Sequence, residues 1–177
     1  NMGAPCFRFK QFTVWHDRCA MKVGTDGVLL GAWCGLPRVN GECVRVLDIG
    51  TGSGLIALML AQRLEKETQC FAIRGIDIEP SAVEQSRINF EASPWASHLS
   101  ANNCSLQELV DDGGYDLIVS NPPYFQNSLK NPDKGRATAR HTDSLSYAEL
   151  LAHAKRLLKN DGTLFLKKTC ISNKSVI

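Results

Sequence analysis

With 177 residues, 44% of them hydrophobic and 21% charged, the chain is sized for one domain and composed like a folded protein. A formal charge of +2 is too small to diagnose a nucleic-acid partner, no apolar run approaches a membrane span, and nothing at the amino end reads as a secretory signal. Seven cysteines (Cys6, Cys19, Cys34, Cys43, Cys70, Cys104 and Cys170) are odd in number and widely spaced with no C-x-x-C pair, which predicts reduced thiols in a cytoplasmic protein rather than a disulfide framework or a zinc site.

In chain order, Phe7 to Val14 is rich in aromatic and β-favouring residues and predicts a short strand or extended arm. Asp26 is placed to N-cap a short helix running through Val28, Leu29, Leu30 and Trp33. After a loop marked by Gly35, Pro37, Asn40 and Gly41, strands and helices alternate. Val44 to Asp48 reads as a strand, Leu55 to Leu64 as a buried helix and Phe71 to Asp77 as a strand. Pro80 to Glu91 reads as a helix with its proline near the start, Leu99 to Asn102 as a weak strand and Tyr115 to Ser120 as a clear one. Ser146 and Glu149 form an S-x-x-E capping box ahead of Leu150, Leu151, Ala154, Leu157 and Leu158 at helical spacing. Asp161 and Gly162 then turn the chain into a last strand, Thr163 to Leu166. Such alternation predicts an α/β fold, a mainly parallel sheet with helices on both faces and ligand-binding loops at the carboxyl ends of the strands. The expected division is an arm and short helix over residues 1–41, an α/β domain over 42–168 and a polar tail over 169–177.

Between the first strand of that alternation and its helix lies Asp48-Ile49-Gly50-Thr51-Gly52-Ser53-Gly54. Glycines there let the backbone turn tightly and let a ligand approach closely. A D-x-G-x-G-x-G turn differs from G-x-G-x-x-G: its leading carboxylate repels a pyrophosphate but suits a ligand with ammonium and sulfonium charges. No phosphate-binding G-x-x-x-x-G-K-[ST] loop occurs. Asp77, ending the next strand, stands where a ribose-binding carboxylate belongs in a doubly wound sheet. Residues 48–54 resemble the first motif of the class I S-adenosylmethionine methyltransferases, whose fold is Rossmann-like. The resemblance implies S-adenosyl-L-methionine as cofactor, with Asp48, Gly50, Gly52 and Gly54 around its methionine part, Asp77 on the ribose and Ile78 beside the adenine.

Asn121-Pro122-Pro123-Tyr124 directly follows the clearest strand. The lone pair of an exocyclic amine on a base is delocalised into the ring, so the nitrogen is a poor nucleophile. Asn121 Oδ1 and the Pro122 carbonyl can accept its two N–H bonds and favour a pyramidal nitrogen, and the prolines hold these acceptors stiffly. Tyr124 offers a flat face for the base. N-P-P-Y is similar to the motif of amine-directed methyltransferases that act on adenine, guanine or glutamine amides, and it does not choose among those acceptors.

Phe9 to Phe12, His16 to Gly27 and Ser93-Pro94-Trp95-Ala96 narrow the resemblance to the bacterial family that methylates N6 of adenine 37 in valine tRNA, over about Phe7 to Leu166. The resemblance implies a tRNA partner, and the four histidines do not cluster in a ligand pattern, so no metal is expected. It sets Lys22 and Thr25, with Asn121, at the cofactor, and Pro123, Phe125, Arg136 and Arg140 at the RNA. The target base would be splayed from a loop where it is unpaired. Two departures are expected to matter. Ser105 stands where the fold usually has an acid contacting the cofactor's adenine, and no antiparallel C-terminal strand pair follows Leu166. Ribosomal RNA, DNA or a protein glutamine remains the alternative acceptor, and an RNA-binding module without turnover the non-enzymatic alternative.

Overall fold

The structure, a computed structural model, describes residues 5–111, 113–121 and 146–167. A hairpin opens the chain: β1 (Cys6–Arg8) pairs antiparallel with β2 (Thr13–Trp15). Helix α1 (Thr25–Trp33) follows. Its N-cap is Gly24, so the helix starts before Asp26, which falls in the first turn rather than at the cap. There its charge still suits the positive end of the helix dipole.

The alternating region then forms β3 (Val44–Ile49), α2 (Leu55–Leu64), β4 (Phe71–Asp77), α3 (Pro80–Glu91), β5 (Leu99–Asn103), β6 (Tyr115–Ser120), α4 (Tyr147–Leu157) and β7 (Leu158–Leu166). Strands β3 to β7 make one parallel sheet in the order β5-β4-β3-β6-β7, among the described residues. This is the parallel α/β architecture that the alternation predicts. The capping box at Ser146 is present, with Glu149 N–H donating to Ser146 Oγ at 3.2 Å and Ser146 N–H to Glu149 Oε2 at 2.8 Å. β7 begins at Leu158, earlier than the sequence pattern suggests, because Leu158 pairs with Tyr115 before the Asp161-Gly162 irregularity shifts the register to Leu117 opposite Thr163.

Strand period 2 explains how the core divides. Val44 and Val46 of β3, Ile73 of β4 and Leu117 and Val119 of β6 point to one face, where Leu58, Leu60 and Leu64 of α2 and Val83 and Phe90 of α3 cover them. Leu47 and Ile49, Ile76 and Ile118 point to the other, beneath Leu150, Ala154 and Leu157 of α4. Both β3 and β6 are covered on both sides, which is why apolar residues occupy both faces of each strand, Val46 and Leu47 in β3 and Leu117, Ile118 and Val119 in β6.

The expectation of reduced thiols fails at one pair. Cys43 and Cys70 form a disulfide, with Cα atoms 4.7 Å apart. The cause is register: Val44 sits opposite Phe71, so the residues just before them lie side by side at the amino ends of β3 and β4. Spacing along the chain carries no trace of this, because 27 residues separate the two. Cys6, Cys19, Cys34 and Cys104 are free.

Candidate active site

Every loop of the site leaves the carboxyl end of a sheet strand or folds over that end. The turn after β3 is the centre. Gly50, Gly52 and Gly54 all take left-handed φ values, +72°, +55° and +81°. Beside Gly50 and Gly52 the space that a Cβ would enter is open, so the backbone there faces free space rather than packed side chains. The Gly50 and Thr51 N–H groups donate to the Ile76 carbonyl at 2.9 and 3.0 Å, fixing the turn against β4.

Asp48 lies under this turn and is fully buried. Its Oδ2 accepts the Thr51 hydroxyl at 2.9 Å, while Oδ1 has no hydrogen-bond partner among the described residues. Burial pushes its carboxyl from the ordinary value near 3.8 up to about 7; the Thr51 bond opposes the rise and the charge of Asp77 adds to it. An orphaned buried carboxylate oxygen invites a cation, and a positively charged amine arriving there would draw the pKa back down. The consequence for stability has a definite sign. Between about pH 4 and pH 7 the unfolded chain has released this proton while the folded chain still holds it, so the contribution of Asp48 falls as pH rises through that window. Urea unfolding of the ligand-free chain at pH 5 and pH 7 is expected to show a larger loss of stability for the wild type than for Asp48→Asn, by up to about 1.4 kcal/mol per pH unit.

Asp77 ends β4 half-buried. Its Oδ2 accepts the Gly52 N–H at 2.9 Å and its Oδ1 the Glu79 N–H at 3.0 Å. Each oxygen keeps a second lone pair, and the two bonds hold the carboxylate in one orientation beside the glycine turn. Ile78 follows, 46% exposed, as an apolar surface at the same edge. Asn103, at the end of β5, donates to the carbonyls of Asp77 and Ile78 at 2.9 and 3.0 Å and brings the next loop alongside. In that loop Ser105 Oγ meets the Glu108 carboxylate at 3.0 Å.

From the other side the loop before α1 closes the pocket. Met21, Lys22, Val23, Gly24, Asp26 and Gly27 line it together with Gly50, Thr51, Gly52, Ser53, Leu55, Ile56, Asn121 and Lys167. Lys22 Nζ donates to the carbonyls of His16 and Asp17, at 2.8 and 3.3 Å, and so braces its own loop. Thr25 begins α1 and is exposed, outside this set of lining residues. The absence of a side chain on Gly27 brings α1 in close: a Cβ there would stand 3.1 Å from Leu55 and 3.6 Å from Asn121 Nδ2.

Asn121 leaves β6 in the middle of the sheet. Ser120 Oγ donates to the Ile49 carbonyl at 2.8 Å, and the Lys167 N–H donates to the Ser120 carbonyl at 3.1 Å. Its backbone is thereby held between the ends of β3 and β7, with its side chain across from the glycine turn. Pro122, Pro123, Tyr124, Phe125, Arg136 and Arg140 lie outside the described residues.

Four contributors escaped the sequence reading: Thr51, Ser53, Asn89 and Lys167. Asn89 Nδ2 donates to the Ser53 carbonyl at 2.7 Å and to the Trp15 carbonyl at 2.8 Å, tying the hairpin to the pocket wall. Lys167 pairs with Asp26 across the pocket mouth. Thr51 and Ser53 occupy the free positions of D-x-G-x-G-x-G, so that pattern carries no signal for them. Among the described residues there is no cluster of three or more metal-ligating side chains, and no helix is long and apolar enough to cross a membrane.

The sequence profile of the methyltransferase small domain matches residues 36–170. A tRNA1(Val) (adenine(37)-N6)-methyltransferase of Parabacteroides distasonis is 52% identical over 167 residues, covering 93% of this chain and 67% of that protein. A protein of the same description from Trichodesmium erythraeum is 50% identical over 165 residues, covering 92% of this chain and 66% of its own length. The chain thus spans about two thirds of the length of these curated relatives. In fold it is similar to an S-adenosyl-L-methionine-dependent methyltransferase from Thiobacillus denitrificans, solved with S-adenosyl-L-homocysteine, with a TM-score of 0.55 at 18% identity over 85% of this chain and 49% of that one. A glycine turn and paired strand-end carboxylates beneath a short covering helix are accordingly the work of a chain that belongs to the methyltransferase small domain family.

Proposed function

We propose that this chain transfers a methyl group from S-adenosyl-L-methionine to the exocyclic N6 of adenine in tRNA, at the adenine-37 position named for its relatives, and works in the cytoplasm where that RNA is found. The observation that carries the reading is the placement of Asn121: an amide just past the end of β6, lining the same pocket as the glycine turn, with no hydrogen bond to another described residue.

When bound, the cofactor supplies an electrophilic methyl on a sulfonium. The chain's part is orientation and electrostatics. Asp48 Oδ1 offers a buried negative charge to a cationic group, and Asp77 offers free lone pairs to two adjacent hydroxyls. Asn121 Oδ1 accepts one N–H of the target amine, and the carbonyl of Pro122 accepts the other. Tyr124 stacks on the base, Pro123 and Phe125 flank it, and Arg136 and Arg140 hold the phosphates. With its N–H bonds so held, the amine would present its lone pair to that methyl, and its surplus proton would leave to solvent once the methyl had passed from sulfur to nitrogen. Holding both partners in line does most of the catalytic work, and no general base is needed for so weakly basic an amine.

Nucleoside mass spectrometry on unmodified tRNA incubated with the chain and labelled S-adenosyl-L-methionine tests this. Labelled N6-methyladenosine is the expected product. Label appearing only in ribosomal RNA, DNA or a protein glutamine moves the acceptor, and binding of cofactor and RNA without product in any of them overturns the assignment as an enzyme.

A further inference from the structure

The β1–β2 hairpin turns one face to the core, where Val14 is buried while Phe7 opposite it stays 47% exposed, and leaves the other face over. Val14, opposite Phe7, is fully buried against the core, so the pairs Cys6–Trp15 and Arg8–Thr13 share the outer face. Arg8 and Trp15 are diagonal neighbours there, within reach of one another's ligand. Trp15 is 41% exposed, and Arg8 and Lys10 are exposed.

This face is rigid. Phe9 stacks on Phe12 with ring centres 4.5 Å apart, and Phe12 meets the buried Trp95 edge-on at 5.7 Å, so the underside is anchored by aromatic packing. The backbone of Trp15 is clamped from both sides by the buried Asn89, which accepts its N–H at 3.0 Å and donates to its carbonyl at 2.8 Å. The same Asn89 amide reaches the Ser53 carbonyl in the pocket wall. One buried side chain therefore links the Trp15 backbone to the wall of the candidate active site.

Its charge is unspent. Residues 5–24 carry Arg8, Lys10, Arg18 and Lys22 against Asp17 alone. Arg18 pairs with Glu84 at 2.7 Å and Lys22 is used within its loop, but among the described residues Arg8 and Lys10 form no ion pair. A flat, fixed aromatic surface beside uncommitted cations is what a single nucleic-acid strand requires, because every base has a face to stack and every phosphate a charge to neutralise.

Resting on the RNA substrate argued above, we propose that the outer face of this hairpin is a docking platform for the single-stranded RNA that flanks the target adenine. Trp15 stacks on one unpaired base, and Arg8 and Lys10 hold the phosphates beside it. Continuity with the pocket through Asn89 and Ser53 selects the flanking nucleotides rather than a distant part of the RNA.

Two readouts test the platform. In methyl transfer to unmodified tRNA, Trp15→Ala is expected to raise KM about tenfold with kcat and cofactor affinity unchanged, and Trp15→Phe to restore most of the loss. In direct binding, a single-stranded oligoadenylate of about ten nucleotides quenches tryptophan fluorescence, and Trp15→Phe removes that quench. Replacing Arg8 and Lys10 with alanine lowers the slope of log affinity against log salt by about 0.7 for each cation removed. An unchanged KM in Trp15→Ala, or a quench that survives Trp15→Phe, overturns the platform. The binding arm needs no turnover, so a wild-type chain that quenches with RNA but methylates none would count against the proposed reaction and not against this surface.

Discussion

Asn121→Ala is expected to reduce methyl transfer on the order of a thousandfold while cofactor affinity stays within a few-fold of the wild type. The side chain accounts for this division. Asn121 lines the pocket from the end of β6, whereas the groups proposed to hold the cofactor, Asp48, Asp77 and the glycine turn, hang from β3 and β4 and make no hydrogen bond to it among the described residues. On the proposed reaction, removing its amide would take away an acceptor for the target amine, and the lone pair would return to the ring. Single-turnover kinetics with saturating RNA, beside isothermal titration of the cofactor product, separates the two effects. Wild-type turnover in the mutant would remove Asn121 from the chemistry.

The second large effect is structural. Gly54→Ala is expected to destabilise the fold by about 4 kcal/mol, roughly 1–2 from forcing a side chain into the left-handed region and the rest from overpacking. Gly54 has φ +81°, and a Cβ there would stand 2.5 Å from a ring carbon of Phe90, itself buried in the core. Neither the ring nor the N-terminus of α2 has room to retreat, because Phe90 belongs to the same core cluster as Leu55 and Leu58. Urea titration followed by circular dichroism measures the loss. Gly52→Ala is the control: its φ of +55° is equally left-handed, yet nothing lies within 4 Å of the added carbon, so only the conformational share is lost.

Local pattern foretold the elements whose causes are local. α2, β4, α3 and β6 begin and end at the residues the sequence pattern predicts, with Pro80 marking the start of α3 because its missing N–H costs nothing there. The start of α1 was misplaced because Asp26 resembles a cap, whereas the extended backbone at Gly24 is set by the loop folding onto His16. The site divides the same way. The glycine turn and Asp77 stand in the sequence as strand-end signals, but Asn89 and Lys167 matter only through contacts with Ser53, Trp15 and Asp26 that are far away along the chain. Pairing of Cys43 with Cys70 belongs to this second class, since only the register of β3 against β4 makes them neighbours.

That bridge sits at the pole of the sheet opposite the chemistry. Six residues of β3 separate Cys43 from the glycine turn, a span of about 20 Å. Durability and turnover are therefore under separate control in this chain. Closing the Cys43–Cys70 loop restricts the unfolded ensemble by about 3.5 kcal/mol, and Asp48, Asp77 and Asn121 stand toward the opposite end of the sheet from it. A reducing cell would hold the protein in its easily unfolded and easily recycled form, and an oxidising vessel would hold the same catalyst in a long-lived one.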